Sequence, residues 1–459
     1  IIWGNVFIFS LTTSFFAGHL QTFFYLFIFS SIYFLVRWFQ YGKSGKTLTL
    51  FAICYLLFTI VTAIQWIPTL QFIGESAREI DQIDWQKEGW FIPWQHLVQF
   101  IVPDFFGNPT TLNYWGIWNY AELVGYVGIL PFVMAMLALF FRRDKKTLFF
   151  GTLFFLSLIF SLPTIFAKLP YILNIPFIST SQPTRLLFVT DFCLAILSAF
   201  GLDYFIKNKK KIVYPLSFLL LIFTSFWIFV LAGNQVLQLV SQENIIVAKR
   251  NLILPTGIFI VISIAILISS FIQVKKNITI MIYIIIVGIT AFDLIRFGQK
   301  FTPFTNKEYL FPNTKTIEFL QKNTGHFRIM TTDSRILPPN FSIIYRLQSV
   351  DGYDPLYLKR YGELIAASER GKPDISSPFG FNRIITPHNY DSKIIDLLGV
   401  KYVLSLSDLS SAKLQKVFQE GETRVYENKD ALPRTFFVQN ITEGDRTQRQ
   451  GSIKAIFKE

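Results

Sequence analysis

The chain has 459 residues, 52% hydrophobic and 17% aromatic but only 16% charged, with 43 Lys and Arg against 30 Asp and Glu, a net charge of +13. Soluble globular domains carry about 25% charged residues, so this composition excludes an ordinary cytosolic enzyme. Residues 1–297 hold 20 basic and 12 acidic side chains and the much shorter 298–459 holds 23 and 18. The first stretch therefore reads as a transmembrane helical domain with an outer loop at 67–121, and the second as a water-soluble domain.

In chain order, the sequence opens at Ile1 inside an apolar run, without an initiator Met or a signal-peptide pattern, and reads as a fragment. A bilayer crossing needs about 20 mostly apolar residues. Nine segments are expected to cross: about 1–17, 20–39, 47–66, 122–141, 147–162, 185–205, 212–232, 252–273 and 278–297, the fifth being short. Their unbroken apolarity argues against amphipathic surface helices. Basic residues follow every second span: Arg37, Lys43 and Lys46, then Arg142, Arg143, Lys145 and Lys146, then Lys207, Lys209, Lys210 and Lys211, then Lys275 and Lys276. With nine spans all of them fall on one side, and the positive-inside rule makes that side cytoplasmic and places 298–459 outside. The basic excess is thereby explained without nucleic-acid binding.

Candidate site residues lie at the opposite ends of the spans. His19 and Gln21 open the second, suited either to a substrate hydroxyl or phosphate or to a neighbouring loop carbonyl. Glu75 and Arg78 follow the third: a carboxylate there can act as general base and a guanidinium can hold a phosphate, or both can belong to a solvated helix end. Asp104, in Pro103-Asp104-Phe105-Phe106-Gly107-Asn108-Pro109, is a base, a metal ligand or a turn former. Arg185 opens the sixth span, to hold a lipid phosphate or to snorkel to the headgroups. Asp191 lies about two turns deeper, where an ionisable group faces a cavity or a partner. Asp203 and Asp293 lie near span ends, with Arg296 as the expected partner of Asp293.

The soluble stretch mixes helical patterns at 314–322, 354–368 and 392–398 with strand patterns at 327–331, 401–404, 424–426 and 434–438, a small α/β domain. Cys54 and Cys193 sit in apolar runs, against a disulfide framework or a cysteine metal site. His19, His96, His326 and His388 lack metal spacing, and neither a phosphate-loop nor a serine-hydrolase motif is present.

Seven stretches, GHLQ at 18–21, PDFFGNP at 103–109, YVGILP at 126–131, PTR at 183–185, DGYDPLYLKRYGEL at 351–364, DLLGVKYVLS at 396–405 and RVYENKDALPRTFFV at 424–438, together resemble the bacterial YfhO-type membrane proteins. That resemblance implies a polytopic α-helical membrane protein with a GT-C-like glycosyltransferase architecture and a C-terminal extracytoplasmic α/β domain. It implies transfer of a sugar from a polyprenyl-phosphate carrier to a cell-envelope polymer such as lipoteichoic acid, on the outer face of a bacterial cell membrane. A carboxylate would deprotonate the acceptor hydroxyl, and an Arg or a divalent cation would offset the leaving phosphate. Carried over by motif, Asp104 and Glu75 are the acidic members of the site. His19 and Gln21 are polar contacts, and Arg78 and Arg185 are phosphate holders. Asp351, Tyr353, Asp354, Lys359 and Arg360 fall in the most densely matching stretch, Asp354 and Arg360 being taken as substrate contacts with a helix-capping role for Asp354 as the alternative. The principal catalytic Asp of GT-C enzymes would lie upstream of Ile1. Two other readings stand beside this one: a lipid-linked sugar transporter, for which only Asp191 has the expected placement, and a non-catalytic envelope scaffold.

Overall fold

A computed structural model describes residues 2–77, 85–175, 178–179, 181–233, 235, 238–272, 276–301, 304–376 and 379–437. The chain forms two compact units, Ile1–Ile60 with Trp85–Phe304, and Val61–Asp84 with Thr305–Glu459. The boundary thus falls after 304 rather than 297, and the expected outer loop is divided between the units.

Among the described residues eleven α-helices run from the N-terminus: α1 (Ile2–Phe16), α2 (Leu20–Gln40), α3 (Gly45–Glu75), the single turn α4 (Tyr120–Leu123), α5 (Ile129–Phe141), α6 (Lys145–Ser161), α7 (Ile165–Ile172), α8 (Leu187–Lys207), α9 (Val213–Ile228), α10 (Gln242–Phe271) and α11 (Lys276–Phe301). Among the described residues six helical stretches are long and apolar enough to cross a membrane, or seven if the bent pair α6–α7 is one span. The expectation of nine is not confirmed, since the two further apolar helices, α1 and α5, are shorter. At 1.5 Å per residue, the 13 residues of α5 reach about 20 Å, short of a hydrocarbon core of about 30 Å. The run at 122–141 is cut because Gly128 takes a left-handed φ of 92° as N-cap of α5. Pro163 follows α6, and α7 leaves at 61°. Conversely, α3 continues through Pro68 to Glu75, so residues 67–75 are helix where a loop was expected.

The packing of this unit shows where the basic connections go. Arg142 bonds Asp203 at 3.0 Å and the Phe200 carbonyl at 3.0 Å, and Lys207 approaches Asp203 at 3.8 Å. Lys209 reaches the Ser269 carbonyl at 3.4 Å, and Lys211 lies 5.2 Å from the centre of the Phe141 ring. Arg37 shares a cavity wall with Arg142, Lys145 and Lys146. The connections after α2, α5 and α8 thus gather at one end, while Lys275 lies outside the described residues.

The second unit carries a five-stranded mixed sheet in the order β2-β1-β5-β7-β6. Its strands are β1 (Arg328–Thr331), β2 (Gln348–Ser349), β5 (Val400–Ser405), β6 (Leu414–Glu420) and β7 (Thr423–Asn428), with β3 (Gly352–Tyr353) and β4 (Ile384–Ile385) as a separate pair. β1 is parallel to β2 and β5, and β7 is antiparallel to β5 and β6. Helix α12 (Lys315–Asn323) lays Ile317 and Leu320, one turn apart, on the core of Ile329, Tyr402, Leu404 and Val425. Two further helices follow, α13 (Lys359–Arg370) and α14 (Lys393–Leu397). The pattern at 434–438 is not a strand over its described part: Arg434 donates to the His326 carbonyl at 2.7 Å and bonds Gln348.

Candidate functional site

A cavity of about 360 Å³ opens in the membrane unit between the loop at 103–111, the start of α5, the N-terminal half of α10 and the C-terminal turns of α11. Asp104, Tyr126, Arg250, Asn251, Asp293, Arg296 and Lys300 supply its charged and much of its polar wall; Leu254, Ile258 and Phe297 supply apolar wall.

Local sequence explains how Asp104 arrives there. Gly107 takes φ 81°, and a Cβ would stand 2.1 Å from the Asn113 carbonyl oxygen, so only glycine fits the turn. The turn brings Asn108 back to donate to Asp104 Oδ1 at 2.9 Å. Tyr120 donates to the same oxygen at 2.8 Å, and Lys300 forms an ion pair with Oδ2. Burial first, and the adjacent carboxylate second, push the Tyr120 hydroxyl upward, so it remains a donor. Asn251 donates to the Asp104 carbonyl at 2.6 Å, fastening the loop to α10. Four residues on, Pro255 has no N–H to offer the Asn251 carbonyl.

Asp293 is buried and accepts the Tyr126 hydroxyl at 2.7 Å and the Ile129 amide at 3.2 Å. It was expected to pair with Arg296, but no ion pair joins them among the described residues. Arg296 instead lines the cavity, near enough to act electrostatically on Asp293. Arg250 and Arg296 make no side-chain hydrogen bond or ion pair among the described residues. Both carboxylates are thus satisfied by their neighbours, while two guanidinium groups remain to meet an anion.

Those donors do not suit a divalent cation. Asp104 is already held by Lys300, Tyr120 and Asn108, Asp293 by Tyr126 and the Ile129 amide, and three cations share the wall. Among the described residues no three His, Cys, Asp or Glu gather as a metal cage.

The expected phosphate holder Arg185 lies elsewhere in this unit. Its guanidinium donates to Gln21 Oε1 at 2.5 Å and pairs with Glu122 at 3.3 Å, and Gln21 in turn donates to the Gln182 carbonyl at 2.6 Å. Gln21 and Arg185 are therefore brought together, with Glu122, in a knot joining α2, α4 and the turn before α8. His19 is exposed and caps α2, its Nδ1 accepting the Thr22 amide at 3.2 Å. Asp191 Oδ1 is buried without a hydrogen-bond partner among the described residues.

His96 is buried beneath the loop, stacked on Phe106 at 4.5 Å. Its Nε2 accepts the Ile117 amide at 3.3 Å, which leaves Nδ1–H to donate to Gln99 at 2.6 Å. Burial holds its pKa below the ordinary histidine value.

In the other unit, Glu75 is exposed at the end of α3, and Arg78 lies outside the described residues. Asp354 is exposed and accepts the Leu356 amide at 2.8 Å, a local turn bond, and Arg360 is exposed in the first turn of α13. Tyr353 is in β3 and Lys359 begins α13. Asp351 Oδ2 accepts the Thr331 amide at 3.2 Å and hydroxyl at 2.6 Å, while Oδ1 is buried and has no hydrogen-bond partner among the described residues. Burial pushes the Asp351 carboxyl up to about 6.

Sequence reading missed Arg250, Asn251, Lys300, Tyr120 and Glu122. One signal was present: Asp293, Arg296 and Lys300 follow the 3–4 spacing that puts side chains on one helix face, in an otherwise apolar helix.

Residues 5–453 match the model of a family described as bacterial membrane protein YfhO, and the chain belongs to that family, as a multi-pass membrane protein. No curated protein and no solved structure matches the chain.

Proposed function

From membership of the YfhO family and the cavity at Asp104, we propose that this chain acts in transfer of a sugar from a polyprenyl-phosphate carrier to a cell-envelope polymer of the lipoteichoic acid kind. The observation that carries the reading is the pair of guanidinium groups, Arg250 and Arg296, on a cavity whose carboxylates are already bonded to neighbours. A phosphate there would meet two charge-assisted donors. In transfer, the acceptor hydroxyl forms the new bond to the anomeric carbon and gives its proton to a base. The bond to the carrier phosphate breaks with its electron pair on the phosphate oxygen. Arg250 and Arg296 would stabilise the charge that develops there. Asp104 then serves to hold Lys300 and Asn108 at the cavity, and Arg185 serves to fix α2 to the turn before α8. The end carrying the cavity is the outer face, since the basic connections lie at the other end.

The test is transfer of radiolabelled sugar from polyprenyl phosphate in membranes carrying the protein. Arg250→Gln with Arg296→Gln should lower transfer by about 10-fold or more, since a hydrogen bond to a charged group contributes about 1.5–3 kcal/mol. Unchanged transfer in the double variant would remove the cavity from the mechanism. A second reading, translocation of the lipid-linked sugar, is favoured by one observation, the unpartnered Asp191 in α8. It would show as carrier movement across vesicles without sugar transfer.

A further inference from the structure

A second cavity, of about 400 Å³, lies in the membrane unit where α2 ends and α5 turns into α6. Helix α5 separates it from the first: Ile129 at one end of α5 bonds Asp293, and Arg142 at the other lines the second cavity. The two sites are therefore about 20 Å apart along that helix.

We propose that this second cavity binds the phosphate headgroup of an anionic membrane phospholipid, on the membrane face opposite the Asp104 site. Its wall holds Arg37, Arg142, Lys145 and Lys146 against a single carboxylate, Asp144. The bonds within it divide these cations into two kinds. Arg142 is spent, paired with Asp144 and with Asp203 at 3.0 Å. Asp144 is spent as well, since besides Arg142 it caps α6, accepting the Lys146 amide at 2.9 Å and the Thr147 amide at 3.1 Å. Lys145 and Lys146 are exposed and make no ion pair or side-chain hydrogen bond among the described residues. Among the described residues Arg37 is steadied only by uncharged neighbours on its own helix end, donating to Gln40 at 3.1 Å and to the Tyr41 hydroxyl at 2.5 Å. Three cations without a carboxylate thus converge from two helices, α2 and α6. An anion that joins them meets three positive charges and relieves their mutual repulsion. The cavity sits at the end of α2, which is long and apolar enough to cross the bilayer, and at the start of α6, which is so together with α7; such helix ends fall at the depth of the headgroups. A lipid phosphate is held there by its own acyl chains and needs no capture from solution.

The test uses the full chain in nanodiscs of phosphatidylcholine doped with a fluorescent phosphatidylglycerol, reading protein-associated probe by energy transfer from tryptophan. Lys145→Gln with Lys146→Gln should lower association at least 5-fold, and Arg37→Gln alone should lower it in the same direction. Lys207→Gln with Lys210→Gln removes equal charge from the same end, outside the cavity, and should leave association within 2-fold. Inorganic phosphate at millimolar concentration should not displace the probe. Equal losses in the two double variants would reduce the effect to general surface charge and overturn the site. Displacement by inorganic phosphate would overturn the lipid as its ligand. Both outcomes are independent of sugar transfer.

Discussion

Asp351 shows how a single buried carboxyl sets a pH dependence. Its folded pKa of about 6 lies above the ordinary value of 3.8, so the folded state holds the proton more tightly than the unfolded one. The stabilising contribution is full below the unfolded value and is lost as pH rises through 6, on the order of 2–3 kcal/mol across the window. Hydrogen exchange at the amides of β1 and β5 should therefore quicken, beyond the intrinsic rate change, between pH 5 and pH 8. Asp351→Asn, which keeps an acceptor for Thr331, should abolish that difference, and an identical difference in the variant would contradict the assignment. At this scale the sequence was half legible. Asp104 stood out because Pro, Gly and Asn around it mark a turn with a polar purpose. Its partner Lys300 did not, because the two are 196 positions apart and nothing local to either announces the pair. Arg185 was conspicuous for its place at a span entrance, but Gln21 and Glu122, which occupy it, come from distant segments.

Helices were legible wherever apolar length decided them and illegible where single residues broke the run. Gly128 and Pro163 shorten or bend α5 and α6, whereas Pro68 in α3 does not stop the helix. In the sheet, β1, β5 and β7 were visible as apolar strands. The edge strand β6 carries its polar residues in adjacent pairs, Gln415-Lys416 and Gln419-Glu420, over mostly open positions and so lacks a strand's alternation, and β2 has two residues, too few to leave a pattern. Contact between α5 and α8 rests on Gly201, where a Cβ would stand 1.8 Å from the Met134 carbonyl oxygen. Close backbone approach of this kind is how apolar helices associate without a hydrophobic driving force. Gly201→Val should force the two helices apart and lower the thermal unfolding temperature in detergent by several degrees, the overpacking costing about 1–3 kcal/mol. A melt superimposable on the parent would show that the interface yields freely.

For the whole molecule, the decisive regularity is that charge sorts the two ends of the membrane unit. Basic connections gather around Arg142, and the cavity with Asp104 and Asp293 lies at the other end of α5. Alternating charge along the sequence pointed to this division, although only six or seven of the nine expected crossings are long enough among the described residues. Cys54 and Cys193 are both buried, so a cysteine placed at Lys210 should react with an impermeant maleimide only from the cytoplasmic side. One placed at Leu112, exposed in the membrane unit beside the cavity residue Thr111, should react only from outside, and reversed labelling would invert the proposed orientation. The site itself is tested most directly by a photoreactive polyprenyl phosphate, cross-linked to the protein in membranes and mapped by peptide mass spectrometry. A carrier phosphate held by Arg250 and Arg296 should place adducts within 250–258 and 293–300, and Arg250→Gln with Arg296→Gln should remove them. Adducts confined to the residues around Gln21 and Arg185, and persisting in that double variant, would contradict it.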